Sequence, residues 1–491
     1  MVNEPPPVAV LGINRGDPRP RRRGRRLLCR PRVVTRRITF VCDPAGHILS
    51  TGRTITQGHP LPDQSYAPLT FFQRHRMVEA ALDPKTCARF HARYTYNWAV
   101  RITPGLSPRK AQRAFRNLTQ RHDSLRLRIV EDSGDWVAEI LDEHPQGLTV
   151  EDHGPLSRDE QEALVARKCA TPKTALDPVL FEMELLRFGD QGDILLGRAQ
   201  HAIYDAYSVS IVLAEAISFL LDIPVTGHAA SHREFIAYRA RHTKQRDAEK
   251  TAYWDAAIQP PPPPLRIGRM AKGLPPLDRT NLGPCHRIEA ALSIAASDHV
   301  KARTKATGLS ANAQILTAFG DSVCAMGNGD ETIWRGIMGR QEAALSSFVG
   351  PAMQGFYIKY KAGAGARVLS DMIARGADML PAAAVAPGAP NAPVDLPYMI
   401  NMPKPTGPLD KSPMAHLLTL GDMDGHTLGP LRFERVPTGE PLQIDYEMDV
   451  NVSATPTAPN VELVADEASW TVDELRQLAD RINASILAGH P

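Results

Sequence analysis

The stretch Gln200-His201-Ala202-Ile203-Tyr204-Asp205-Ala206 decides how this chain is read. The apolar run Ile194 to Ala199 before it has the character of a buried strand. Ser208-Val209-Ser210-Ile211-Val212-Leu213-Ala214 after it opens a helix, with Ser208 as the expected N-cap. A histidine therefore stands where a strand ends, and an aspartate stands on the tight connection into a helix. Rigid elements on both sides hold such a loop side chain still, which suits chemistry. The pattern His-x-x-x-Asp is short, and a chain with 16 histidines produces about one by chance. Its weight comes from the rest of the sequence.

The chain has 491 residues, enough for two to four domains. Six cysteines, at 29, 42, 87, 169, 285 and 324, are scattered with no C-x-x-C pair. This argues against a zinc site and a disulfide scaffold, so no metal is expected, and a reducing, cytoplasmic setting fits. No apolar run reaches membrane-spanning length, so no membrane partner is expected. The net charge of +3 conceals an asymmetry. Arg15 to Arg37 holds 11 arginines against Asp17, leaving the remaining chain at about −7. A nucleic-acid role would rest on that tail alone, and nucleic acid is not the expected partner.

Residues 1–63 read as an Arg/Pro-rich extension, largely disordered, with a possible hairpin at 38–55 around Asp43-Pro44-Ala45-Gly46. Ordered structure is expected from about Tyr66. A strand is read at Tyr94 to Ile102, then a helix capped by Ser107-Pro108, with Ala111, Ala114, Phe115 and Leu118 on one face. Two strands follow across Asp132-Ser133-Gly134-Asp135, and a helix at 157–170. Residues 232–257 read as one long charged helix, and Pro260 to Pro264 as a stiff connector. Beyond it come helices at 295–306, from Ser310 to about Met326, and at Val368 to Leu380. Strands are expected at Thr332 to Met338, Phe356 to Tyr360, Leu442 to Met448 and Asn460 to Val464. Thr471-Val472-Asp473-Glu474 is a capping box for a last helix. The division is 64–258 and 259–491, two halves that each mix sheet and helix and invite a cleft between them.

The order of motifs is more telling than any one of them. Pro68 to Gln73, Arg121-His122-Asp123-Ser124-Leu125-Arg126, His201 to Asp205, Tyr253-Trp254, Gly339-Arg340 and Val349-Gly350-Pro351 occur in succession. This series resembles the condensation domain of nonribosomal peptide synthetases over nearly all of residues 66–489, with a fungal-type flavour in Tyr-Asp-Ala-Tyr-Ser. The resemblance implies an α/β (α+β) fold of two chloramphenicol-acetyltransferase-like subdomains in a V, with the active site at their junction. It implies an acyl transfer from a thioester on a carrier protein's phosphopantetheine arm to an amine or hydroxyl acceptor. That acceptor is a small molecule or is itself carrier-bound. No tightly bound cofactor is implied. With no Gly-Gly-x-Ser carrier motif in view, the chain reads as stand-alone, with acyl or peptidyl carrier proteins acting in trans.

By the same resemblance, His201 is the catalytic histidine. An imidazole with an ordinary pKa near 6.5 can accept a proton or orient an attacking amine. Asp205 is either a second catalytic group or a buried carboxylate paired with an arginine, for which Arg340 is the candidate. Gln200 stands in place of the family's first histidine and keeps a donor and an acceptor. Ala206 stands in place of the usual glycine; its N–H can serve an oxyanion, but a need for positive φ there would carry a cost. Ser208 is a cap rather than a nucleophile, and Arg121, His122 and Arg126 form a salt-bridged helix end. Two rivals stay open: a coenzyme A or polyketide-carrier dependent acyltransferase with the same histidine, and a degenerate module that binds carrier proteins without catalysis, suggested by Gln200 and Ala206.

Overall fold

A computed structural model gives the fold. It describes residues 40–42, 48–51, 66–70, 73, 77, 95–132, 135–244, 247–258, 260–277, 283–339, 345–378, 396–402, 426–439, 444, 446–453 and 459–489. Strands β1 (Phe40–Cys42) and β2 (Ile48–Thr51) form an antiparallel hairpin within the expected 38–55. Its turn and the Arg-rich stretch lie outside the described residues.

The first half is built from β3 (Tyr66–Pro68), β4 (Thr95–Thr103), α1 (Pro108–Arg121), β5 (Leu127–Asp132), β6 (Asp135–Ile140), β7 (Thr149–Asp152), α2 (Arg158–Cys169), β8 (Phe181–Arg187), β9 (Asp193–Gln200), α3 (Ala206–Leu220) and α4 (His232–Lys244). Then come α5 (Asp247–Ile258), α6 (Gly268–Ala271), β10 (Cys285–Ile288), α7 (Ile294–Thr307), α8 (Ala311–Met326), β11 (Glu331–Gly339), β12 (Met353–Lys361), α9 (Gly365–Asp378) and β13 (Tyr398–Asn401). The last elements are β14 (His426–Leu428), β15 (Leu431–Val436), β16 (Met448–Ser453), β17 (Asn460–Asp466) and α10 (Val472–Ala488).

Two six-stranded sheets carry the molecule, ordered β14-β15-β4-β9-β8-β7 and β10-β17-β16-β13-β11-β12, and β3-β6-β5 forms a smaller one. On the first sheet, α1 buries Ala111, Ala114, Phe115 and Leu118 against α3 and β8, the face read from its spacing. Full burial of a side chain such as Phe115 or Leu118 contributes about 1.5–3 kcal/mol. Helix α2 begins at Ser157 and α10 at Thr471 with complete capping boxes, Glu160 and Glu474 answering the cap. Gly308 ends α7 in the left-handed conformation at φ 73°. On the second sheet, α8 and α10 cover Trp334, Tyr398, Val450 and Leu463.

Three readings change. Helices α4 and α5 occupy the long helix expected at 232–257, and residues 245–246 between them lie outside the described residues. The strand expected at Leu442 to Met448 is instead Met448–Ser453. Alternation continues from Leu442 through Val452, so the pattern alone has no end. The partner strand chooses, pairing Met448 with Ala465 and Ser453 with Asn460. The packing also departs from a break at 258/259. Trp254 and Ile258 of α5 belong to the second core, while Leu431 and Phe433 of β15 belong to the first. Strand β15 pairs antiparallel with β4, Val436 opposite Ala99, and so carries late sequence into the first sheet. Among the described residues, no helix is long and apolar enough to cross a membrane.

Candidate functional site

Strand β9 lies in the interior of the first sheet. It pairs with β4 on one side and β8 on the other, so its end at Gln200 is held from both flanks. The chain then turns tightly: Ile203 N–H donates to the Gln200 carbonyl at 3.0 Å and Tyr204 N–H to the His201 carbonyl at 3.4 Å. Gln200 is fully buried and braces this turn from within. Its Oε1 accepts from Ala202 N–H at 2.6 Å and its Nε2 donates to the Lys173 carbonyl at 3.1 Å. The donor and acceptor that glutamine retains are both in use.

His201 is 7% exposed. Its Nδ1 lies 2.6 Å from the Tyr204 carbonyl oxygen. A carbonyl only accepts, so Nδ1 carries the proton in the neutral ring and Nε2 holds the lone pair. The local turn thus fixes the tautomer as well as the position.

Asp205 caps α3, with φ −133° and ψ 173°, and its side chain accepts from Ser208 N–H at 2.8 Å. This corrects the sequence reading: the helix begins at Ala206, and Ser208 sits inside its first turn. A carboxylate is a strong N-cap acceptor and takes both the N–H and the hydroxyl of Ser208, each at 2.8 Å. Its other oxygen, Oδ2, accepts from Ala352 N–H at 3.1 Å. The Ser208 oxygen in turn accepts from Gly350 N–H at 2.9 Å. The loop Val349-Gly350-Pro351-Ala352 therefore docks on the start of α3. Val349 enters the first core, and Phe348 stacks on Phe235 of α4 with ring centroids 4.4 Å apart. Gly350 has φ 153°, and a Cβ there would fall 2.3 Å from the Phe348 ring.

Arg340, the expected partner of Asp205, lies outside the described residues, just after β11 ends at Gly339. Ala206 is the first residue of α3, exposed, in helical conformation and not at positive φ. The methyl group is thus tolerated by the backbone, and the Ala206 N–H stands at the helix's positive end.

Arg121 and His122 build a different place. Both meet Glu215 of α3, Arg121 Nε at 3.0 Å and His122 Nε2 at 2.7 Å. Arg126 donates to the carbonyls of Thr119, Leu141 and Asp142. Glu215 lies nine residues along α3 from Ala206, about 14 Å at 1.5 Å per residue. This cluster docks α1 on α3 and holds the helix that carries the site, as a salt-bridged helix end. Tyr253 and Trp254 pack in the second core, with Arg375 over the Tyr253 ring at 5.4 Å.

Sequence reasoning missed Tyr96, Tyr204 and Ala352 as members of the site. The last two act through backbone atoms, which no residue type announces. Among the described residues, no group of three or more His, Cys, Asp and Glu side chains is placed to hold a metal ion.

A family model for the condensation domain matches residues 63–358, more than half of the chain. A plipastatin synthase protein of Bacillus subtilis (strain 168) is 32% identical over 152 residues, 30% of this chain and 6% of that protein. A linear gramicidin synthase protein of Brevibacillus parabrevis is 26% identical over 231 residues, 45% of this chain and 4% of that protein. The chain thus spans a small fraction of the length of these relatives. The solved structure of the SgcC5 protein from Streptomyces globisporus superposes with a TM-score of 0.66 at 17% identity, covering 86% of this chain and 99% of that one. The condensation domain of the Monacolin K polyketide synthase MokA gives a TM-score of 0.67 at 11% identity, over 86% and 96%. The fold is the two-lobed, chloramphenicol-acetyltransferase-like α/β fold of these structures. The matched residues include β9, His201, Asp205 and the loop that docks on them, and the chain belongs to the condensation-domain family.

Proposed function

We propose that the chain transfers an acyl group from a thioester to an amine or hydroxyl acceptor, forming an amide or an ester. The donor in this reading is an acyl or aminoacyl group on the phosphopantetheine arm of a carrier protein supplied in trans, in nonribosomal peptide or related secondary metabolism. The observation that carries it is the Nδ1 contact of His201 with the Tyr204 carbonyl, which leaves Nε2 as the basic nitrogen. In the proposed step, the acceptor nitrogen or oxygen attacks the thioester carbonyl while Nε2 takes its proton. The tetrahedral oxyanion forms beside the start of α3, where the Ala206 N–H and the helix dipole favour negative charge. The carbon–sulfur bond then breaks, and the imidazolium returns the proton to the leaving thiolate. Atoms and charge balance with no other reactant.

In this reading Asp205 is a positioning group rather than a proton carrier, because its oxygens are engaged by Ser208 and Ala352. In this reading the lobes are about 64–258 and 259–491, with α5 packed on the second lobe and β14 and β15 lent to the first. Scattered thiols, among them Cys169, Cys285 and Cys324, support a reducing, cytoplasmic setting. The complete bonding of Gln200 and the helical backbone at Ala206 support a catalytic chain over a degenerate carrier-binding module.

The test is a single-turnover assay read by intact mass. Acyl-loaded carrier proteins and coenzyme A thioesters are offered with mixed amine and alcohol acceptors, beside His201→Ala. Transfer that falls at least about 10²-fold in the variant is the expected result. The accepted donor separates carrier from coenzyme A. Transfer that survives in the variant overturns the role of His201, and carrier binding with no transfer favours the non-catalytic module.

A further inference from the structure

His201 has a second neighbour that the succession of motifs does not mark. Tyr96 lies on β4, opposite Ala199 of β9, two residues before the histidine. Its ring centroid stands 4.9 Å from that of the imidazole, with the planes 85° apart. The Tyr204 ring is 6.2 Å from it on a tilted approach. Tyr96 is half-buried, whereas His201 is buried.

The hydrogen bond from Nδ1 to the Tyr204 carbonyl fixes which nitrogen is protonated. Rotation of the ring about its Cβ–Cγ bond would carry Nδ1 away from that carbonyl and release the tautomer. A second ring packed perpendicular to the first, at a separation favoured by aromatic pairs, opposes that rotation. The carbonyl belongs to the turn and the tyrosine to the neighbouring strand, so the imidazole is held from two directions. We propose that Tyr96 is a positioning residue for His201, setting the direction in which Nε2 faces the reacting atoms. This rests on His201 being the base. A misplacement of about 1 Å in such a group costs about 10²-fold in rate, so a modest loosening is measurable.

The experiment compares the whole chain with Tyr96→Phe, which keeps the ring, and with Tyr96→Leu and Tyr96→Met, which fill the space without one. Nitrogen-15 histidine spectra are recorded without any substrate, and His201→Gln assigns the signal. The expected result is a His201 signature of the Nδ1-protonated neutral tautomer in the parent chain and in Tyr96→Phe. In Tyr96→Leu or Tyr96→Met, whichever melts within a few degrees of the parent, the signals shift toward a mixture of tautomers. The single-turnover rate falls about tenfold there and at most about twofold in Tyr96→Phe, with half-saturating acceptor concentration unchanged. Nitrogen shifts in folded Tyr96→Leu and Tyr96→Met that match the parent overturn the proposal. So does a Tyr96→Phe variant as perturbed as Tyr96→Leu, which would assign the effect to the hydroxyl. If no donor is turned over, the function proposed above fails while the spectra still decide the role of Tyr96.

Discussion

Asp205 Oδ2 accepts the backbone N–H of Ala352 at 3.1 Å, across a sequence separation of 147 residues. The same carboxylate holds Ser208 through its other oxygen, so one buried side chain ties the loop after the histidine to a loop from the other half. The position of His201 and the docking of the two halves are therefore set by the same group.

Asp205→Ala leaves the buried Ser208 N–H without its acceptor, while Ala352 N–H keeps the Gly350 carbonyl at 2.8 Å and loses its bond across to α3. A stranded buried donor costs about 1–3 kcal/mol. The expected result is about 1–3 kcal/mol less stability in urea denaturation, with transfer slowed at least about tenfold. Asp205→Asn keeps one carbonyl acceptor and loses less on both counts. An unchanged urea midpoint together with full transfer in Asp205→Ala would remove this role from the residue.

Gly350 is the second constraint on the same contact. At φ 153° an L side chain is strained, and its Cβ would strike the Phe348 ring that stacks on Phe235. Gly350→Ala is expected to cost about 1–3 kcal/mol. It should also slow transfer, because Gly350 N–H bonds to Ser208. Gly439→Ala, at φ 69° and against Ala166 of α2 rather than this loop, serves as the comparison: its added Cβ would also be crowded, 2.4 Å from the Ala166 Cβ, but has no reason to change the rate beyond its effect on folding. Equal rate losses in the two variants would separate the loop from the site.

Much of this was legible before the fold was known. The strand into His201, the buried face of α1 and the capping boxes at Ser157 and Thr471 follow from local rules of period and hydrogen bonding. Helix α3 was legible, but its start was not. Ser208 and Asp205 are both good caps, and the choice fell to the carboxylate because it also reaches Ala352. Strand β8, Phe181-Glu182-Met183-Glu184-Leu185, alternates plainly, so its signal stands in the sequence. Strand β15 alternates too, but its partner β4 lies more than 300 residues earlier, and no local rule joins them. The same limit hid Ala352 and the Tyr204 carbonyl, because backbone groups gain their role from where the chain passes.

Gln200 tests whether the departure from two histidines is a loss or a replacement. Its amide spans Ala202 N–H and the Lys173 carbonyl. Gln200→Leu, similar in volume, strands Ala202 N–H and leaves the Lys173 carbonyl with only the Thr95 hydroxyl at 3.5 Å; it is expected to cost about 1–4 kcal/mol, since a buried orphan costs about 1–3. Gln200→His offers one acceptor and one donor nitrogen and should stay within about 1.5 kcal/mol of the parent. Differential scanning calorimetry ranks the three chains. A Gln200→Leu chain that melts with the parent would show that the turn is held by its other bonds.

His232 supplies a pH dependence. It opens α4, its backbone N–H lies 3.1 and 3.0 Å from the two oxygens of Asp123, and its ring is fully buried. Burial pushes the imidazole down to about 4, opposed by the Pro68 backbone, with the Arg233 charge pushing further down. The folded value lies below the unfolded one of about 6.5, so this stability is fully present above pH 6.5 and is lost as pH falls toward 4. At about 1.4 kcal/mol per pH unit, the loss approaches about 3 kcal/mol. Burial raises the Asp123 carboxyl, which acts with the opposite sign and takes up its proton in the folded chain before the unfolded one does. His232→Phe removes the histidine contribution and leaves that of Asp123. Urea midpoints at pH 7, 5.5 and 4.5 should therefore fall more steeply for the parent than for His232→Phe. Parallel lines would mean that the histidine is charged, or exposed, in the folded protein.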